Sequence, residues 1–252
     1  MESTGLHLPR ILCLHGGGTN ARIFQAQCRV LSAQLRDEFR LVFAQGPYIS
    51  SPGPDVVSVY QEWGPFYAWI PPVLDSGTTD IEVWHALQKA MDQDDEQGGH
   101  GPWAGVLGFS QGASACANLL LHQQRHGKRL SASFQFGVLL AGRTPESVIA
   151  LRRKTTPSHK QGGVYEDFNL TFWEVGVSKR LTIPTIHVHG LRDVNVHLHQ
   201  QLLRDVCEPG TAALIEWDGT HRIPIKTKDV NAVVELILAT AEEVGVAHAY
   251  RQ

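Results

Sequence analysis

The run Gly108-Phe109-Ser110-Gln111-Gly112 constrains this 252-residue chain more than any other feature. It stands between an apolar run, Ala104–Phe109, and a helical pattern, Ala113–His126. A serine with glycine two positions away on either side fits a strand-to-helix turn too tight for most side chains. Such a turn raises Ser110 above the carboxyl edge of a sheet, and the following helix amino terminus favours developing negative charge. The plain alternative is a glycine-rich turn with an incidental serine. The flanking elements favour a candidate nucleophile.

The rest of the chain repeats strand–loop–helix units. Short apolar runs at Arg10–His15, Leu41–Ala44, Phe136–Ala141, Pro184–His189 and Ala213–Trp217 read as strands, the first and third of them buried. Helical spacing marks Ala21–Glu38, Thr79–Asp94, His197–Val206 and Val230–Glu243. Strands that are apolar throughout, separated by helices, predict an α/β fold: a mostly parallel central sheet with helices on both faces. Ligands gather at the carboxyl ends of such strands, where the candidate motifs fall. Two stretches interrupt the pattern. Tyr48–Ser76 holds Pro52, Pro54, Pro65, Pro71 and Pro72 and reads as too broken for regular structure, yet it carries Trp63, Phe66, Tyr67 and Trp69. That much apolar surface is expected in a pocket wall or lid. Arg143–Lys179 is mixed and polar and reads as an insertion.

Composition excludes several classes. A formal net charge of −3 with no basic block points to neither nucleic acid nor an anionic membrane as partner. No apolar run approaches the ~20 residues of a membrane span, and the amino terminus lacks the features of a secretory signal. Cys13, Cys28, Cys116 and Cys207 are widely spaced within apolar or helical patterns, which fits buried free thiols. The expectation is one domain over residues 1–252, cytoplasmic, with cap or insertion elements within 48–78 and 143–180.

A serine hydroxyl needs a base, and an oriented imidazole is the usual one. Among 13 histidines, His221 follows the last expected strand and precedes the final helix, on a carboxyl-end loop. Asp193 leaves the end of the preceding strand and is the candidate acid. Asp218 is its rival, but lies only three residues before His221. The order Ser110, Asp193, His221 is that of an α/β-hydrolase sheet. His15-Gly16-Gly17-Gly18 ends the first strand, where glycines allow backbone N–H groups to approach a carbonyl oxygen. Gln111 and Gly17 are the candidate oxyanion donors, with Gly18 in reserve. A phosphate-binding loop fits poorly, since neither G-x-G-x-x-G nor a Walker lysine motif is present. His187, His189, His197 and His199 form two H-x-H pairs around Asp193. The second pair falls on a helix, where residues two apart diverge, and no supporting ligand pattern adjoins it. No metal and no cofactor is expected, and these histidines read as solvated or core-edge residues.

Leu12-Cys13-Leu14-His15-Gly16, Gly46-Pro47, Gly64-Pro65-Phe66-Tyr67-Ala68-Trp69, Gly108–Gly112, Ile183-Pro184-Thr185 and His189-Gly190-Leu191-Arg192-Asp193 occur in one order. Together they resemble the FSH family of α/β-hydrolase serine hydrolases, from about Arg10 to about Leu238. Within it the chain is similar to the fungal thioesterases that act in trans with polyketide synthases of statin and citrinin biosynthesis. The resemblance implies Ser110 as nucleophile, Asp193 as acid and His221 as base. It implies hydrolysis of an ester or acyl thioester, including release of a polyketide chain from a synthase acyl-carrier domain. Trp63, Phe66, Tyr67 and Trp69 would cover the acyl group, and Arg143 would meet a polar or anionic part of the substrate. Alternatives are a general small-ester carboxylesterase, which shares the chemistry, and a noncatalytic binding module that kept the fold.

Overall fold

The computed structural model describes residues 5–71, 81–144 and 180–246. In chain order the elements are β1 (Arg10–Leu14), α1 (Ala21–Gln27), α2 (Arg29–Leu35), β2 (Arg40–Ala44), β3 (Tyr48–Ser50), α3 (Val57–Tyr60) and β4 (Phe66–Ala68). They continue with α4 (Ile81–Glu96), β5 (Trp103–Phe109), α5 (Gln111–His126), β6 (Phe136–Leu140), β7 (Thr185–Gly190), α6 (Val196–Val206), β8 (Ala212–Trp217) and α7 (Thr227–Glu243). Six strands form one parallel sheet in the order β2-β1-β5-β6-β7-β8. This is the expected α/β-hydrolase architecture. The strand order reverses between β1 and β5, so the Gly16–Gly18 loop and Ser110 emerge side by side at the point where such sheets bind ligands.

Side-chain alternation along β1 divides the interior into two cores. Leu12 and Leu14 pack with Trp84, Leu87, Leu119 and Leu120 from α4 and α5 on one face. Ile11 and Cys13 pack with Phe24, Leu31 and Ile237 from α1, α2 and α7 on the other. With both faces covered, every residue of β1 is buried. Full burial of each Leu or Ile contributes roughly 1.5–3 kcal/mol.

The helix expected over Ala21–Glu38 is two helices that meet at Cys28. Asn20 caps the first, its Oδ1 accepting the Ile23 N–H at 2.8 Å. The break lets each half keep its own apolar pair buried: Ile23 and Phe24, then Leu31 and Leu35.

The stretch from Tyr48 is also more regular than its prolines imply. β3 and β4 pair antiparallel, with Tyr48 opposite Ala68 and Ser50 opposite Phe66. Pro52, Pro54 and Pro65 fall outside the paired residues, so none of them removes a ladder N–H. Of the interruption expected within 143–180, residues 145–179 lie outside the described residues. No helix among the described residues is long and apolar enough to cross a membrane.

Candidate active site

The turn after β5 has the geometry its sequence requires. Ser110 sits at φ 54°, ψ −115°, a conformation that costs a non-glycine residue of order 1–3 kcal/mol. Its N–H donates to Leu140 O at 2.8 Å, which pins the strained residue to the neighbouring strand. The flanking glycines are demanded by space. A β-carbon on Gly108 would lie 2.4 Å from the Gly112 backbone, and one on Gly112 would lie 2.1 Å from Leu14 O. Real β-carbons do not approach so closely, so β1, β5 and α5 converge here only because both side chains are absent.

His221, on the loop after β8, places Nε2 2.9 Å from Ser110 Oγ. Its Nδ1 lies 2.5 Å from Asp193 Oδ2. Asp193 belongs to the loop after β7, and its side chain is fully buried. Burial pushes its carboxyl up. The Asn195 N–H and the imidazoles of His199 and His221 outweigh burial and hold it at about 2. The three side chains nominated from three separate loops therefore form one hydrogen-bonded line. Asp218 is elsewhere, its carboxylate 2.7 Å from Arg192 Nε in an exposed pair.

The loop after β1 is held from several sides. His15 is completely buried, and burial lowers its pKa to about 4. Its Nε2 accepts the Gly46 N–H at 2.9 Å, which fixes the neutral tautomer that donates from Nδ1 to Gly16 O at 2.8 Å. Tyr67 ties β4 to the same loop: Gly18 N–H donates to Tyr67 O at 2.9 Å, and Tyr67 N–H to Thr19 O at 2.6 Å. This engages Gly18, the reserve oxyanion donor, and removes it from that role. The N–H groups of Gly17 and Gln111 donate to no protein acceptor among the described residues. The Gln111 side chain reaches back across this junction, its Oε1 accepting the Trp69 N–H at 2.6 Å.

The aromatic segment divides in two. Trp63, Phe66 and Tyr67 are half-buried, and Arg22 stacks 4.1 Å above the Trp63 ring. Trp69 does not fit the role of covering an acyl group. It is fully buried in the core, and its indole N–H donates to His15 O at 2.9 Å. A large aromatic beside a polar loop read as pocket wall, but its N–H found a partner inside. Arg143, just past β6, is half-buried; its N–H donates to Ser114 Oγ at 3.0 Å, and its Nε has no hydrogen-bond partner among the described residues. Burial lowers the guanidinium pKa and the nearby Asp193 raises it.

The histidine pairs also resolve by position. His197 is exposed, whereas His187, His189 and His199 are buried, contrary to a solvated reading. His199, no site candidate from the sequence, places its Nε2 2.8 Å from Asp193 Oδ2. Its i+6 spacing from Asp193 across a loop and a helix start carries no periodic signal. Asp193, His199 and His221 present ligand-type atoms within 4.8 Å of one another. Their separations from the shared carboxylate oxygen, 2.5 and 2.8 Å, are hydrogen-bond distances.

Residues 3–233 match the family described as serine hydrolase (FSH1). The chain belongs to the FSH1 serine hydrolase family. It is 48% identical to "Esterase pigG" of Monascus ruber, over 97% of this chain and 96% of that protein. It is 46% identical to "Esterase claE" of Penicillium crustosum, covering 98% and 97% of the two chains. In fold it is similar to the crystal structure of esterase PE8, with a TM-score of 0.51 at 18% identity over 94% of each chain. As an FSH1 member the protein is a hydrolase, and a noncatalytic reading of its fold is set aside.

Proposed function

We propose that this hydrolase cleaves acyl esters or thioesters through a Ser110–His221–Asp193 triad. The observation that carries the reading is the unbroken line from Ser110 Oγ to His221 Nε2 at 2.9 Å and from His221 Nδ1 to Asp193 at 2.5 Å. The names of its curated relatives as esterases support the ester bond as target.

In this mechanism His221 Nε2 takes the Ser110 proton as Oγ attacks the acyl carbonyl. Asp193 accepts the Nδ1–H, fixes the tautomer and stabilises the imidazolium as it forms. The carbonyl oxygen becomes an oxyanion against the free N–H groups of Gln111 and Gly17, a contribution worth ~3–4 kcal/mol per donor in comparable sites. Collapse expels the alkoxide or thiolate, which leaves with the proton from His221. Water then repeats the sequence on the acyl-Ser110 ester and releases the acid.

The half-buried Trp63, Phe66 and Tyr67 would flank the acyl chain, and the Nε of Arg143, without a partner among the described residues, would offer a donor to a polar group on it. The resemblance to trans-acting fungal thioesterases extends the reading to release of a polyketide chain from a synthase acyl-carrier domain. A thiolate is a good leaving group and needs little help from a general acid. The test is incubation with an acyl-loaded carrier domain beside small p-nitrophenyl esters, following free acid by mass spectrometry. Faster release from the carrier supports the chain-release reading. Turnover of the small esters alone replaces it with a general carboxylesterase.

A further inference from the structure

Asp193 Oδ2 is shared. His221 Nδ1 approaches it at 2.5 Å and His199 Nε2 at 2.8 Å, and the two rings stack with centroids 5.7 Å apart. The other nitrogen of His199, Nδ1, lies 2.8 Å from the carbonyl oxygen of Gly142. Both partners of the His199 ring are therefore acceptors. A backbone carbonyl has no proton to give, and a carboxyl held at about 2 has lost its own. A neutral imidazole carries one N–H, so one of its nitrogens would set a lone pair against an oxygen lone pair. The His199 and Asp193 side chains are both fully buried, and solvent does not relieve such a contact.

We propose that His199 is a positioning residue held as an imidazolium, donating one N–H to Asp193 and the other to Gly142 while Asp193 also receives His221. The proposal rests on the triad reading and deepens it.

Burial is the largest influence on the His199 ring and lowers its pKa; Asp193 and the Gly142 carbonyl pull the other way, and His221 adds to the lowering. Burial prevails in that balance and the net pKa is lowered, so the charge rests on geometry: both ring nitrogens face buried acceptors, Asp193 Oδ2 and Gly142 O. Two other ionisable groups face the cluster. His189, its ring 5.8 Å from that of His199, is neutral near pH 7 because burial and His199 hold it at about 4. Arg143 acts on Asp193 from the β6 side.

The consequence lies in the charge of the resting site. A lone Asp–His pair is an anion at rest and becomes neutral when the imidazole takes the serine proton. With His199 cationic, the cluster is neutral at rest and reaches +1. The base then stays free of solvent protons to lower pH than a bare Asp–His pair would allow. His199 also holds the Gly142 carbonyl, and with it the chain segment that carries Arg143.

The direct test is nitrogen-15 NMR of the histidine rings in resting wild-type protein near neutral pH, with His199 assigned through its own backbone. Protonated signals from both ring nitrogens of His199 are expected. One unprotonated ring nitrogen overturns the proposal. The spectrum needs no substrate, so its failure is distinguishable from a failure of the triad reading, which ester turnover tests. A second measurement is the pH profile of kcat/KM for His199→Gln, which keeps one donor toward Asp193 and loses the charge. Its acidic limb is expected to move up by about one pH unit or more, with KM little changed. A folded His199→Gln enzyme with an unmoved limb also overturns the proposal, and if that variant does not fold, the wild-type spectrum decides alone.

Discussion

Gly112 and Leu14 meet so closely that the first turn of α5 rests on the last carbonyl of β1, within 2.1 Å of where a Gly112 β-carbon would stand. Leu14 leads into the His15–Gly18 loop, and Gly112 follows Ser110 and Gln111. One backbone contact therefore sets the distance between the two proposed halves of the oxyanion site. Gly112→Ala forces β1 and α5 apart. A loss of about 3 kcal/mol or more in urea unfolding is expected, with hydrolysis falling in whatever protein stays folded.

Ser110 holds an unfavourable backbone conformation that glycine adopts freely. Ser110→Gly is expected to abolish ester hydrolysis and raise stability by about 1 kcal/mol, because the strain is relieved. Ser110→Ala keeps the β-carbon and the strain, so it abolishes hydrolysis without that gain. Denaturant midpoints of the three proteins separate the cases.

The two aspartates near His221 differ in surroundings. Asp193→Asn swaps the carboxylate for a neutral amide that favours the wrong imidazole tautomer and does not stabilise the imidazolium, and it is expected to lower kcat by about 10⁴. Asp218→Asn breaks only the exposed pair with Arg192, and is expected to change stability by less than about 1 kcal/mol and leave kcat near wild type. Steady-state kinetics on both variants settle which acid serves the base.

Buried histidines give stability a definite pH dependence. Burial lowers His15 to about 4, and burial with the neighbouring His189 lowers His187 to about 3, from an ordinary 6.5. The unfolded chain therefore binds protons that the folded chain refuses. Their stabilisation is complete above about pH 6.5 and is lost as pH falls, toward 4 for His15 and toward 3 for His187. Asp193 adds a loss only lower, from about pH 4 toward 2. His187→Leu is expected to flatten the slope between pH 6.5 and 4 in urea titrations, whatever it does to the absolute value at neutral pH.

The elements that position the site were readable because parallel strands buried on both faces are apolar throughout, as Ile11–Leu14 and Phe136–Leu140 are. The elbow was readable because sterics leave glycine little alternative at 108 and 112. Three things were not. The pairing of Tyr48–Ser50 with Phe66–Ala68 is a backbone event hidden by the prolines around it. Trp69 and the half-buried Trp63 look alike in sequence, and only the Trp69 hydrogen bond to His15 O marks it as core. His199 lies in a cluster of four histidines whose fates are set by which side of β7 and α6 they face. Position along a helix that starts after an irregular loop has no reference until the loop is built.

The central claim is that Ser110 is the nucleophile activated by His221. The most direct measurement is mass spectrometry of the protein after reaction with a fluorophosphonate, with the adduct mapped by digestion. A single adduct on Ser110 is expected, absent from Ser110→Ala and strongly slowed in His221→Ala. An adduct on another residue, or a Ser110→Ala protein that hydrolyses esters at the wild-type rate, would contradict it.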